Sequence, residues 1–126
     1  MAIVGVGKVV VGVEDQARAK AFWSETVGFT VTTDVPYDDR GNRWVEVTAP
    51  DGTVLVLSAE DRAPAERRAE LPTSNVFFVA DDIVSTYRDL AAKGVEFPAT
   101  PEKQPWGWWA MFTDPEGNRF ALQQRD

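Results

Sequence analysis

Apolar positions along this chain alternate between a two-residue rhythm and a helical one, and the order of the rhythms repeats. Lys8 to Val13 is a β-branched run with Gly12 inside it, which predicts a buried or half-buried strand. Asp15 then offers an N-cap for a helix over about 16–26, in which Ala19, Phe22, Trp23 and Thr26 form one apolar stripe. Gly28 stops that helix, and Phe29 to Thr33 opens a second strand. Asp38-Asp39-Arg40-Gly41-Asn42 is turn chemistry. Arg43 to Thr48 and Thr53 to Ser58 read as a hairpin around Ala49-Pro50-Asp51-Gly52. A charged stretch from about Ala59 to Leu71, containing Pro64 and followed by Pro72, reads as a linker, with a short helix possible over 65–71.

The same order returns after the linker. Asn75 to Val79 predicts a strand and Asp82 a cap, and Ile83, Tyr87, Leu90 and Ala91 line a helix that ends at Gly94. Val95 to Phe97 predicts a strand, a Pro-rich loop follows, and Trp108 to Thr113 with Asn118 to Gln123 closes a hairpin. Individual residues repeat as well. Trp44, Thr48, Pro50 and Gly52 recur 65 positions later as Trp109, Thr113, Pro115 and Gly117, and Lys8 to Asp15 recurs 67 positions later as Asn75 to Asp82. The expected fold is therefore α+β: two paired β-α-β-β-β modules forming a curved, cup-shaped mixed sheet with the helices outside. We expect one domain over 1–126, with modules at about 1–58 and 73–126 and a linker at about 59–72.

Composition narrows the function. The chain has 126 residues and a net charge of −7, so it lacks the clustered cations that nucleic acid or an anionic membrane requires. No apolar run reaches the roughly 18 residues of a membrane span, and the first residues do not resemble a secretion signal. The default expectation is cytoplasmic. There is no cysteine and no histidine, which removes thiolates and the commonest metal ligand.

Strand alternation assigns the cup-facing side chains. If Val9, Val11 and Val13 pack under the helix, Lys8, Val10 and Gly12 face the opening. The repeat adds Asn75, Phe77 and Val79, with Val54, Val56, Ser58, Ala121 and Gln123 from the closing strands and Trp44, Glu46, Trp109 and Met111 from the third strands. Such a lining suits a small-molecule pocket, with apolar contact for affinity and a few polar groups for orientation. For Trp44 and Trp109, core packing and ligand contact both remain open. Trp106 lies in the turn sequence Gln104-Pro105-Trp106-Gly107 and is expected at a rim or lid.

Val11-Gly12-Val13-Glu14-Asp15 with Ala21-Phe22-Trp23 and Val27-Gly28-Phe29, and Asp114-Pro115-Glu116-Gly117-Asn118 before a final strand, resemble the glyoxalase/bleomycin resistance family of the vicinal oxygen chelate superfamily. The resemblance implies the paired-module cup and a homodimer. It also implies four positions at which metal-dependent members carry ligands: seven residues before each capping Asp, and four after the Gly of each Pro-Asp-Gly-type turn. Here they hold Lys8, Asn75, Val56 and Ala121. An ammonium and two hydrocarbons give a divalent ion nothing to bind, so we expect no metal and no other cofactor. The carboxylate pairs Asp38-Asp39 and Asp81-Asp82 read as a turn and a helix cap.

Two functions follow. One is a metal-free protein binding a small aromatic or antibiotic-like ligand through Lys8, Trp44, Glu46, Val56, Asn75, Phe77, Trp106, Trp109, Met111 and Ala121. Overall acidity would draw a cationic ligand weakly. The other is a metal-independent lyase- or isomerase-type enzyme using Lys8 and Glu46, against which stands a structural salt bridge between the same two residues. A third and weaker option is a pure dimerisation domain.

Overall fold

The computed structural model describes residues 2–59 and 76–124 of the chain. It divides into two compact units, residues 1–63 and 64–126.

The first unit runs β1 (Lys8–Gly12), α1 (Gln16–Ala21), β2 (Thr30–Pro36), β3 (Arg43–Thr48) and β4 (Val54–Ser58), the β-α-β-β-β order of the repeat. Its four strands lie in the order β1-β4-β3-β2, with β1 parallel to β4 and the other pairs antiparallel. Asp15 caps α1, its Oδ1 accepting from the Arg18 N–H at 3.0 Å. After Ala21 the helix continues through Phe22–Thr26 as a π-wound turn, closed by the Val27 N–H on the Phe22 carbonyl at 3.0 Å. The stripe of large side chains turns inward here: Trp23 is fully buried, with Phe22 edge-on to it at 5.2 Å and Phe29 stacked at 5.7 Å. Gly28 then takes φ +97°, a conformation that favours glycine. Beneath α1 the core is Val11, Val13, Val45, Val47, Leu55 and Leu57.

The second unit holds β5 (Phe77–Val79), α2 (Ile83–Ala92), β6 (Glu102–Gln104), β7 (Gly107–Thr113) and β8 (Arg119–Gln124), in the sheet order β5-β8-β7-β6. Asp82 caps α2 through the Ser85 N–H at 3.1 Å, and Ile83 and Leu90 bury its apolar stripe while Ala91 stays exposed. The core is aromatic. Phe112 and Phe120 pack at 5.5 Å, and Phe78, Phe97 and Tyr87 extend the cluster at ring distances of 4.9–6.0 Å.

Two local expectations change. The strand expected over Val95 to Phe97 is a single bridge, Glu96 to Thr113, because Pro98 follows and cannot donate to a ladder. The fourth strand of the sheet comes instead from inside the Pro-rich loop, where Glu102–Gln104 pairs with β7 across the Pro105-Trp106 turn. The expected linker falls almost wholly outside the described residues, as does the short helix considered over 65–71. Among the described residues no helix is long and apolar enough to cross a membrane.

Candidate functional site

Register decides which side chains share the face of the first sheet that turns away from α1. Lys8 pairs with Val54, Val10 with Val56, Val56 with Glu46, and Trp44 with Val35, and paired residues point the same way. The opposite face carries Val11, Val45, Leu55 and Leu57, all at 5% exposure or less. One strand face therefore packs the core and the other presents Lys8, Val10, Trp44, Glu46 and Val56.

At the centre is a three-residue cluster. Lys8 Nζ donates to Glu46 Oε2 at 2.5 Å, and the indole Nε1–H of Trp44 donates to the same oxygen at 2.8 Å. Lys8 Nζ also sits 5.8 Å from the centroid of the Trp44 ring, within cation–π range. Since β4 lies between β1 and β3, the Lys8–Glu46 bridge crosses over the middle strand on the face that holds Val56. Glu46 is buried at 8% exposure, whereas half of the Lys8 side chain is exposed. The Lys8 hydrogen bond, then that of Trp44, holds the Glu46 carboxyl below its usual range, against the opposing effect of burial.

Tyr37 joins this cluster, and sequence reasoning missed it. Its ring stacks on Trp44 at 5.9 Å with 25° between planes, and it remains about half exposed. Asp38 sets its position. That carboxylate accepts from the Arg40 and Asn42 N–H groups and from Asn42 Nδ2, closing the turn, and the Tyr37 N–H bonds the Asn42 carbonyl at 2.9 Å. These bonds, that of Asn42 Nδ2 first, keep the Asp38 carboxyl below its usual range. The available signal was the register: Tyr37 follows Val35 and Pro36, so it lands beside Trp44 once β2 pairs with β3. A recess of about 60 Å³ opens next to the pair, lined by Gln16, Tyr37, Asn42, Arg43, Trp44, Val56, Leu57, Ser58 and Ala59. Gln16 fixes its wall, donating to the Arg43 and Leu57 carbonyls at 2.6 and 2.8 Å and accepting from the Arg43 N–H at 3.0 Å.

In the second unit the matching face holds Phe77, Met111 and Ala121 in one cross-strand row and Val79, Trp109 and Gln123 in the next. Phe77 and Val79 are more than half exposed, and Trp109 and Met111 half-buried. Trp106, in the β6–β7 turn, is about half exposed and tilts against Trp109 at 6.4 Å. Val56 and Ala121 lie on these faces at 2% and 1% exposure, and Val56 also lines the recess. Asn75 lies outside the described residues.

The donor chemistry of these positions does not fit a divalent ion. Lys8 offers only N–H bonds, one of them given to Glu46, and Val56 and Ala121 are hydrocarbon. Among the described residues no three acidic, histidine or cysteine side chains converge as a metal site would require.

Two β-α-β-β-β units, each with one strand face packed and the other carrying aromatic and aliphatic side chains, define a duplicated α+β protein. The chain belongs to the Glyoxalase/Bleomycin resistance protein/Dioxygenase superfamily, whose family model matches residues 5–122. It is 37% identical to the uncharacterized protein YetH of Bacillus subtilis (strain 168), across 94% of this chain and 97% of that one. Among solved structures it is similar to TnmS3, an antibiotic binding protein from Streptomyces sp. CB03234, with 36% identity, a TM-score of 0.81, and 100% and 99% of the two chains covered. A superfamily member from Sphaerobacter thermophilus DSM 20745 matches with a TM-score of 0.83 at 29% identity, covering 98% of each chain.

Proposed function

We propose that this protein binds a small, flat aromatic or antibiotic-like molecule, without a metal ion, on the face built around Trp44. The observation that carries the reading is the Lys8–Glu46–Trp44 cluster: at a position where metal-dependent relatives carry a ligand, Lys8 presents an ammonium bonded to Glu46, beside the Trp44 ring. Tyr37 and Trp44 supply the stacking surface, worth roughly 0.5–1.5 kcal/mol per ring beyond area burial. Pockets for drug-sized ligands enclose roughly 300–1,000 Å³. The recess of about 60 Å³ suits one substituent, with the ring system lying on the open face. The likeness to an antibiotic binding protein supports the same reading.

Phe77, Trp106, Trp109 and Met111 give the second unit a like surface, which we include in the proposal. We also propose a cytoplasmic homodimer, symmetric pairing being the commonest assembly. Proton chemistry by Lys8 and Glu46 is the second reading; against it stands their ion pair, which holds the Glu46 carboxyl below its usual range and so weakens it as a base.

The test is a thermal-shift and tryptophan-fluorescence screen of polycyclic and glycopeptide-type antibiotics. A true ligand at 100 times its Kd adds about 2.7 kcal/mol, or about 10 °C for a chain of this size. No shift and no quenching with any member of such a panel would count against the proposal.

A further inference from the structure

We infer that the Trp44 face selects flat ligands by a negatively polarised oxygen, a carboxylate, phenolate or ring carbonyl, received by Lys8, and discriminates against cationic ring systems. This deepens the proposed binding function and rests on it.

The inference starts from an asymmetry in the ion pair. Glu46 is buried and its Oε2 already takes two donors, Lys8 Nζ and Trp44 Nε1. Lys8 is half exposed. An ammonium has three N–H bonds, of which Glu46 takes one among the described residues. The pair is neutral in sum, but its ammonium is the more exposed end, at 50% side-chain exposure against 11% for the carboxylate. Lys8 Nζ also stands 5.8 Å from the Trp44 centroid, the place a ligand cation would seek over an indole. A second cation there meets repulsion, whereas a ring oxygen finds a charge-assisted donor.

The acidic net charge of −7 pulls the other way, favouring cations from a distance. Which effect wins is a matter of range. At physiological ionic strength the Debye length is about 8 Å, so the spread-out charge is largely screened while a direct contact at Lys8 is not. The local group decides the preference.

Matched probes of one ring system separate the cases: anthracene-9-carboxylate, 9-(aminomethyl)anthracene and the neutral 9-anthracenemethanol. Binding is read by anthracene emission anisotropy at about 0.15 M salt, on the full-length chain. The carboxylate is expected to bind about tenfold tighter than the amine, with the alcohol between them. Lys8→Met should reverse the order, since the Glu46 carboxylate then loses its ammonium and becomes the exposed charge. Lys8→Arg should keep it. Lys8→Gln, which removes the charge but keeps a polar side chain, should lose the preference for the carboxylate and tests the inference even if Lys8→Met fails to fold. Equal or tighter binding of the amine by the wild type, or an order unchanged in Lys8→Met, overturns the inference and leaves the binding face standing. Failure of all three probes to bind counts against the face itself, and the inference falls with it.

Discussion

Removing either partner of the Lys8–Glu46 bridge should destabilise the fold by an amount its burial fixes. Exposed ion pairs contribute about 0.2–1 kcal/mol, while breaking a fully buried pair costs about 3–5 kcal/mol. This pair lies between, with Glu46 at 8% exposure and the Lys8 side chain at 50%. Lys8→Met strands the carboxylate with the Trp44 N–H alone and is expected to cost about 1–2 kcal/mol. Glu46→Gln keeps an acceptor for that indole and frees an ammonium that water can reach, so about 0.5–1 kcal/mol is expected. The double variant should cost little more than Glu46→Gln, leaving a coupling of about 1 kcal/mol.

The assay is urea unfolding of the four proteins with unchanged m-values, or melting temperatures at about 4 °C per kcal/mol for this length. The pH dependence gives an independent check. Glu46 has its carboxyl held below the ordinary 4.5, so its contribution is fully present above that value and is lost as the pH falls through the lowered one. The coupling should therefore hold at about pH 7 and fade only on acidification below the ordinary 4.5, as the lowered value is crossed. A coupling within the roughly 0.3–0.5 kcal/mol error of additivity at neutral pH, or one that grows in acid, would refute the reasoning.

Three further outcomes are expected. Leu57→Ala, at a fully buried position, should lose about 2–5 kcal/mol in urea unfolding, and a loss under about 1 would mean the β4 core is not packed as described. Tyr37→Leu should leave stability within about 0.5 kcal/mol but weaken binding of an aromatic ligand about three- to tenfold in a fluorescence titration. Burial raises the Asp114 carboxyl above its ordinary 3.8, so the folded state holds that proton more tightly and its contribution is lost as the pH rises through the raised value. Melting curves of Asp114→Asn against wild type, from about pH 4 to about pH 8, should thus shift in favour of the variant as the pH increases.

Much of this was legible from the residues because strong local signals carried it. Val11 and Val13 alternate with exposed or half-exposed neighbours, Asp15 and Asp82 cap their helices, and Gly28 and Gly94 take the positive φ that ends them. Other features left no periodic trace. The π-wound turn keeps the apolar spacing of an ordinary helix, and only the bond from the Val27 N–H to the Phe22 carbonyl, five residues back, distinguishes it. Three polar residues, Glu102 to Gln104, are too short to alternate, so β6 was hidden between prolines. At the site, alternation supplied the face but not its depth. Val56 and Ala121 point as the pairing requires yet lie covered, and Tyr37 enters the cluster only through the tertiary pairing of β2 with β3.

The most direct measurement is a calorimetric titration of chelator-treated, metal-stripped protein with a ligand from the aromatic panel, repeated with added zinc, nickel, iron(II) or manganese. Saturable binding near one ligand per chain, with the same Kd in chelator and in each metal, is the expected result. Binding that appears only when a divalent ion is restored, or that tightens in proportion to a metal bound one per chain, would contradict it.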